Sequence, residues 1–191
     1  MSVYDILPML PAVFAAGAVF AVIRIITIKK RRSPFLLSRE ILKGLLVCYI
    51  TALICITIAP EPFWYDLWSG EGFAECTALM FSGEYKANMM TFHFLANDGV
   101  ANSYQVYMLA ANIALFIPFG VLLPPVFRKL KWWQADLCGL ALSGLIELIQ
   151  PIFGRSCDTD DLITNTVGTI IGCAIAKLCL KIIDIRKSRN P

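Results

Sequence analysis

Apolar side chains dominate five stretches of this chain, and polar side chains are concentrated between them. The stretches are Ile6–Ile28, Ile41–Ala59, Tyr104–Val126, Ala135–Phe153 and Leu162–Ile183. As helices they would each be roughly 28 to 34 Å long, which is enough to cross the hydrocarbon core of a bilayer. Because a chain in lipid must satisfy its own backbone hydrogen bonds, runs of this length predict transmembrane α-helices. The first run is too long for the apolar core of a signal peptide, so we expect a retained helix.

Composition supports a membrane environment. Hydrophobic residues make up 58% of the 191 residues, charged residues make up 16%, and the mean hydropathy is +0.67. A soluble domain of this length needs far fewer apolar side chains. We therefore predict an all-α membrane protein, a five-helix transmembrane bundle that forms a single domain over residues 1–191 of a cell-membrane, multi-pass chain.

Basic residues predict the orientation of this bundle. All 17 lysines and arginines except Lys86 and Arg155 fall at the ends of runs that would face the same side of the membrane. The positive-inside rule places that side in the cytoplasm, with the N-terminus outside and the C-terminus inside. Trp132 and Trp133 would mark the inner interface. The net charge of +3 is explained by topology, so we predict no nucleic-acid partner.

One long connection, residues 61–103, separates the second and third runs. It carries six acidic residues against Lys86 alone, together with many aromatic side chains. These are too many aromatics for a disordered loop. We predict an acidic, aromatic, extracytoplasmic cap of short amphipathic pieces.

The stretch "IELIQPIFGRSCDTDDLITNTVGTIIG", residues 146–172, places polar side chains between two apolar runs. Glu147 and Gln150 share a helix face at i, i+3, and Asp161 and Asn165 share one at i, i+4. Asn112 would lie about 12 Å below the outer surface on the third helix. The spacing predicts that these groups meet in a polar pocket that faces outward.

Glu147 is the most informative residue of this set. A charged residue at the centre of a membrane helix costs roughly 2.5–3.5 kcal/mol, so Glu147 should face the interior of the bundle. There it would pair with Arg155, or stay protonated and share hydrogen bonds with Asn112, Gln150 or Asn165. A structural role, in which these side chains only hold helices together, is the alternative.

The loop "RSCDTDD" contains three aspartates. Asp158, Asp160 or Asp161 would cap the last helix, and the others would be free to hold a cation or a polar headgroup. Hard cations need more oxygen ligands than this loop offers, so we predict no metal and no cofactor. Cys76 and Cys157 both lie outside the runs, in a compartment that permits a disulfide between them.

Small residues predict how the last helices pack. Gly168 and Gly172 form a small-xxx-small pattern that Ala176 extends, and Gly139 and Ser143 repeat the spacing on the fourth run. Such patterns allow close backbone approach between membrane helices. We predict that the fourth and fifth helices pack tightly on each other.

The polar positions together resemble the signature of the VanZ-like family of bacterial membrane proteins. The resemblance covers residues 104–176 and rests on Asn112, Phe116, Pro118, Phe119, Gly120, Glu147, Gln150, Arg155, Asp158, Asp161, Asn165, Gly168 and Gly172. It implies a role in the cell envelope and an association with resistance to teicoplanin and related lipoglycopeptides. It implies no reaction, cofactor or substrate.

Three hypotheses for function remain open. In the first, the pocket binds an amphipathic ligand, a lipid-linked cell-wall precursor or a lipoglycopeptide, with Asn112, Gln150, Arg155 and Asn165 as binding residues; Arg155 would contact an anionic group of the ligand and Glu147 would fix its orientation. In the second, Glu147 is a general acid or base that modifies a lipid or surface polymer, with Asp158 or Asp161 as its partner. In the third, the bundle is a scaffold for envelope enzymes. We favour binding, with membrane lipids as the surrounding partners, because no nucleophile or cofactor motif accompanies the carboxylates; the oligomeric state is left open.

Overall fold

The computed structural model describes residues 7–31, 36–58, 87–88, 103–153 and 157–189. Within these residues the chain forms five α-helices: α1 (Leu10–Arg31), α2 (Leu37–Ile58), α3 (Ser103–Val126), α4 (Trp132–Ile149) and α5 (Thr159–Arg189). Short 3-10 turns, Leu7–Met9 and Gln150–Phe153, precede α1 and follow α4. Within the described residues, each of the five apolar runs therefore contains an α-helix.

Four segments are long and apolar enough to cross a membrane: Leu7–Lys30, Leu37–Ile58, Ser103–Val126 and Thr159–Arg186. The chain is thus an all-α membrane protein. The predicted fourth span differs, because the α-helix ends at Ile149 and residues 150–153 form a 3-10 turn. With 18 residues that include Asp136 and Glu147, α4 is not among the candidate spans. The count of five spans and their orientation stay predictions.

Glycines bring α3 and α5 into backbone contact. A Cβ on Gly168 would overlap the carbonyl oxygen of Ile113, and one on Gly172 would overlap that of Ile117 while lying 2.9 Å from the Cα of Gly120. Only glycine permits this approach. The Gly168 and Gly172 pattern therefore packs α5 against α3, whereas the predicted packing of α5 on α4 uses other residues.

The fourth helix meets α5 along a neighbouring stripe. A Cβ on Gly139 would overlap the side chain of Thr169, and Ser143 is buried against the same helix. The small residues of α4 therefore do face α5, as predicted. Helix α5 lies between α3 and α4 and packs against each of them with a different side.

Apolar side chains of α2, α3 and α4 close the core on one side. Leu53, Phe116, Phe119 and Ile146 are among its buried members, and the hydroxyl of Tyr49 donates a hydrogen bond to the carbonyl oxygen of Leu115. Helix α1 packs mainly on α2. Their basic ends are joined by an ion pair in which Arg24 binds Glu40 through two nitrogens, at 2.6 and 2.7 Å.

The predicted cap, residues 61–103, lies almost wholly outside the described residues. Apart from Ser103, which begins α3, the structure describes within it the two-residue strand Ala87–Asn88, which pairs in parallel with Cys157–Asp158. This pairing ties the long connection to the segment between α4 and α5.

Candidate functional site

The polar side chains at one end of the bundle form a connected cluster. This end contains the C-termini of α2 and α4 and the N-terminus of α5. It lies opposite the end at which Lys177 of α5 sits over the ring of Trp132, 5.9 Å from its centroid. Because basic residues occupy that opposite end, the polar cluster is at the end for which the sequence predicts an extracytoplasmic location.

Glu147 joins α4 to the start of α5. Its side chain is 5% exposed, and its Oε2 atom accepts a hydrogen bond of 2.8 Å from the backbone N–H of Asp158. Glu147 therefore faces the interior, as the energetic argument requires. Among the described residues this backbone amide and the thiol of Cys157 donate to Glu147, rather than Asn112, Gln150 or Asn165. The predicted partner Arg155 lies outside the described residues.

Asp158 caps the last helix. Its Oδ1 atom accepts a hydrogen bond of 3.1 Å from the backbone N–H of Asp160, which is the geometry of an N-cap. This confirms one of the three capping assignments that the sequence allowed. The capping residue also donates its own N–H to Glu147, so the start of α5 is anchored on α4.

Asn112 and Asp161 connect α3 to α5. The amide nitrogen of Asn112 donates a hydrogen bond to Oδ1 of Asp161. Thr164, one turn below, donates to the carbonyl oxygen of Asp160 at 2.8 Å. The sequence had placed Asn112 and Asp161 in one pocket, and the structure brings them into direct contact.

Asn165 lies deeper between α4 and α5. It is 5% exposed, and its Nδ2 atom donates a hydrogen bond of 2.9 Å to the hydroxyl of Ser143, which is fully buried. Ser143 is a polar member of the cluster, although its spacing from Gly139 had indicated only a small packing residue. Its spacing of four residues from Glu147 places both on one face of α4 and would have identified it.

Gln150 connects the end of α4 to α2. Its Nε2 atom donates a hydrogen bond of 3.0 Å to the carbonyl oxygen of Thr57, and the side chain is 4% exposed. Thr57 could not be identified from residue types, because the contact uses its backbone oxygen. With this bond the cluster touches four helices.

Two acceptor atoms of the cluster stand out. Oε1 of Glu147 and Oε1 of Gln150 are buried and have no hydrogen-bond partner among the residues that the structure describes. Leaving such a group unsatisfied costs about 1–3 kcal/mol, and more when it is charged. Glu147 is in the last turn of α4, and Gln150 begins the 3-10 turn that follows.

Cys157 lies beside this carboxylate. Burial raises the pKa of its thiol, and the negative charge of Glu147 raises that pKa further. The Cys157 thiol is free, and Cys76, with which the sequence left a disulfide open, lies outside the described residues. Within the described ranges no three His, Cys, Asp or Glu side chains gather as metal ligands.

These features define a class of protein: an all-α membrane protein with a buried, mainly acidic cluster at one end of its bundle. The VanZ/LLP1 family model matches residues 46–180, and the chain belongs to this family. It is 38% identical over 77 residues to "Protein VanZ" of Enterococcus faecium, an alignment that covers 40% of this chain and 48% of that protein. The chain therefore spans about half the length of the curated relative it matches. No solved structure matches.

Proposed function

We propose that this chain is a multi-pass cell-envelope protein associated with resistance to teicoplanin-type lipoglycopeptides, and that it acts by binding an amphipathic envelope lipid or antibiotic at its polar cluster. The cluster faces the outside of the cell in this proposal. Helix α4 then also crosses the membrane and brings the count to five spans, in line with the basic loop before it and the acidic segment after it.

The observation that carries the proposal is the burial of Glu147 within a family-matched region. A carboxylate that only joined helices would be expected to have its lone pairs satisfied by the chain, since an unsatisfied buried oxygen is costly. Here one oxygen is bound to the start of α5 and the other is unoccupied by any described group. A buried carboxylate with one unpaired oxygen is typical of a side chain that binds a ligand.

The surrounding structure is suited to binding an amphiphile. Leu148, next to Glu147, is 74% exposed on the outside of the bundle, whereas Glu147 faces inward. An amphiphile in the outer leaflet could therefore keep its apolar chain beside α4 while its polar group reaches the cluster. The rigid anchoring of Asp158 and Asp161 on neighbouring helices would keep the site in place.

Expression of the chain in a teicoplanin-susceptible bacterium tests the proposal. The wild-type chain should raise the minimum inhibitory concentration, and Glu147→Ala should return it to the vector level at equal membrane abundance. Leu148→Ala, on the same turn but on the outside of the bundle, should retain the wild-type value. Equal resistance from wild type and Glu147→Ala would contradict the proposal.

The same cells distinguish binding from catalysis. A binding protein should yield its amphiphile chemically unchanged on extraction. A mass change in the extracted lipid or antibiotic that disappears in Glu147→Ala would instead support the acid–base enzyme.

A further inference from the structure

The first two helices form a groove at the end of the bundle opposite the polar cluster. The groove lies between α1 and α2, has a volume of about 290 Å³ and is lined by residues within 17–28 of α1 and 37–48 of α2. The C-terminus of α2 belongs to the polar cluster through the carbonyl oxygen of Thr57, so the groove beside the first half of α2 is at the other end. Of the described residues that line it, Arg24 and Glu40 alone are charged, and the others are apolar.

The length and lining of the groove suit one acyl chain. Residues 17–28 rise about 17 Å along the axis of α1, which is close to half of the roughly 30 Å hydrocarbon core. A void of this size would forfeit the contacts of its lining, and water would find few polar partners there. The apolar molecule that a bilayer supplies at this depth is the acyl chain of a lipid in one leaflet.

Three charged side chains meet at this groove. Glu40 accepts hydrogen bonds of 2.6 and 2.7 Å from Arg24 and one of 2.8 Å from Lys43. Two positive charges therefore meet one negative charge. Helices α1 and α2 contain no other acidic residue, so the group keeps a net positive charge. Such a charge is costly at the depth of a membrane helix unless an anion offsets it.

The hydrogen-bond donors of this group point to the same kind of anion. A guanidinium has five N–H donors and an ammonium has three, and neither of them accepts. Glu40 takes two from Arg24 and one from Lys43. The side chains of Arg24 and Lys43 are 27% and 32% exposed, so a ligand can reach the donors that remain. A phosphate group supplies acceptor oxygens together with negative charge, and it therefore matches both the donors and the charge.

We propose that this groove binds an anionic phospholipid, with one acyl chain between α1 and α2 and the phosphate group at Arg24 and Lys43. Basic pockets between membrane helices are typical binding sites for anionic headgroups. The proposal is independent of the proposed function, because the groove and the polar cluster are at opposite ends of the bundle. Of the described lining residues, only Cys48 falls within the family-matched residues 46–180.

Native mass spectrometry of the purified full-length chain, titrated with dioleoyl phosphatidylglycerol or dioleoyl phosphatidylcholine, tests the charge of the ligand. The wild-type chain should bind phosphatidylglycerol about fivefold more tightly. Lys43→Gln leaves the Arg24–Glu40 pair in place but removes the surplus charge, so it should abolish most of this preference. Lys30→Gln, at an exposed position outside the groove, should retain it. Equal binding of the two lipids by the wild-type chain, or an equal loss of preference in the two glutamine variants, would overturn the proposal.

Filling the groove tests where the acyl chain lies. Ala21 is exposed and lines the groove, whereas Ala15 is exposed on the same helix outside it. Ala21→Leu should weaken the binding of both lipids about tenfold without changing their ratio, because the added side chain displaces part of the acyl chain. Ala15→Leu should bind both lipids as the wild type does. Equal binding by the two leucine variants would place the lipid elsewhere, and a dimer without bound lipid would assign the groove to a second copy of the chain; either result would overturn the proposal.

Discussion

Replacing Gly172 with alanine should separate α3 from α5. The added Cβ would overlap the carbonyl oxygen of Ile117 and lie 2.9 Å from the Cα of Gly120. Both neighbours are backbone atoms, which cannot rotate away as a side chain can. The helices must therefore move apart, and the contacts along their whole interface would loosen.

The magnitude follows from two opposing effects. Overpacking of a tight interface costs about 1–3 kcal/mol, and the backbone neighbours place Gly172 in the upper part of that range. Alanine is favoured over glycine within a helix by about 1 kcal/mol. The net expectation for Gly172→Ala is a loss of about 1–2 kcal/mol of unfolding free energy.

Gly144→Ala on α4 is the matched control. Its Cβ would meet only the Cδ1 atom of Leu162 at 3.9 Å, an ordinary contact, so the helix-propensity gain should remain. The two alanine variants should therefore differ by about 2–3 kcal/mol in reversible unfolding by SDS in mixed micelles. Equal stability of Gly172→Ala and Gly144→Ala would refute the close packing of α3 on α5.

Three further predictions concern the cluster and the topology. Ser143→Ala should lower the unfolding free energy by about 1–3 kcal/mol because it leaves the Asn165 amide buried without its partner. The double variant with Asn165→Leu should recover part of this loss. Additive losses from the two substitutions would contradict the pairing. With Cys157 as the sole cysteine, maleimide should react slowly at pH 8, since burial and the Glu147 carboxylate raise the pKa of its thiol. Glu147→Gln removes the negative charge and lowers that pKa, so the reaction should become faster. An unchanged rate would show that the thiol and the carboxylate are not neighbours. A cysteine introduced at Lys129 should be labelled by an impermeant reagent only after the cytoplasmic side is opened, and labelling of intact cells would invert the predicted orientation.

Hydropathy was sufficient to predict the helices, because an apolar run of about twenty residues has few alternatives in lipid. The end of α4 was less predictable. The apolar pattern continued through Pro151 to Phe153, but the chain passes into a 3-10 turn at Gln150. Proline lacks the N–H that would continue the α-helix, and this signal outweighs hydropathy at the boundary.

Helix faces were predictable from spacing, but helix partners were not. The spacing of Gly168 and Gly172 shows that one side of α5 lacks side chains at these positions. That side could have packed against α3 or α4 equally well. The choice depends on what the other helix offers, and Gly120 on α3 provides the matching gap. Similarly, Asn112 and Asp161 were placed in one region from depth alone, while their direct bond required the structure.

Contacts made through the backbone were not predictable from residue types. Glu147 binds the amide of Asp158, and Gln150 binds the carbonyl oxygen of Thr57. Any residue at positions 57 and 158 other than proline at 158 would present the same atoms. Residue types therefore identified the polar side chains of the cluster but not the backbone atoms to which Glu147 and Gln150 are hydrogen-bonded.

Native mass spectrometry of the protein released directly from its own membrane tests the central claim most directly, namely that the polar cluster around Glu147 binds an amphiphile. The wild-type protein should retain a bound amphiphile that Glu147→Ala loses and Leu148→Ala keeps. Retention of the same molecule by wild type and Glu147→Ala to an equal extent, or its absence from both, would contradict the account.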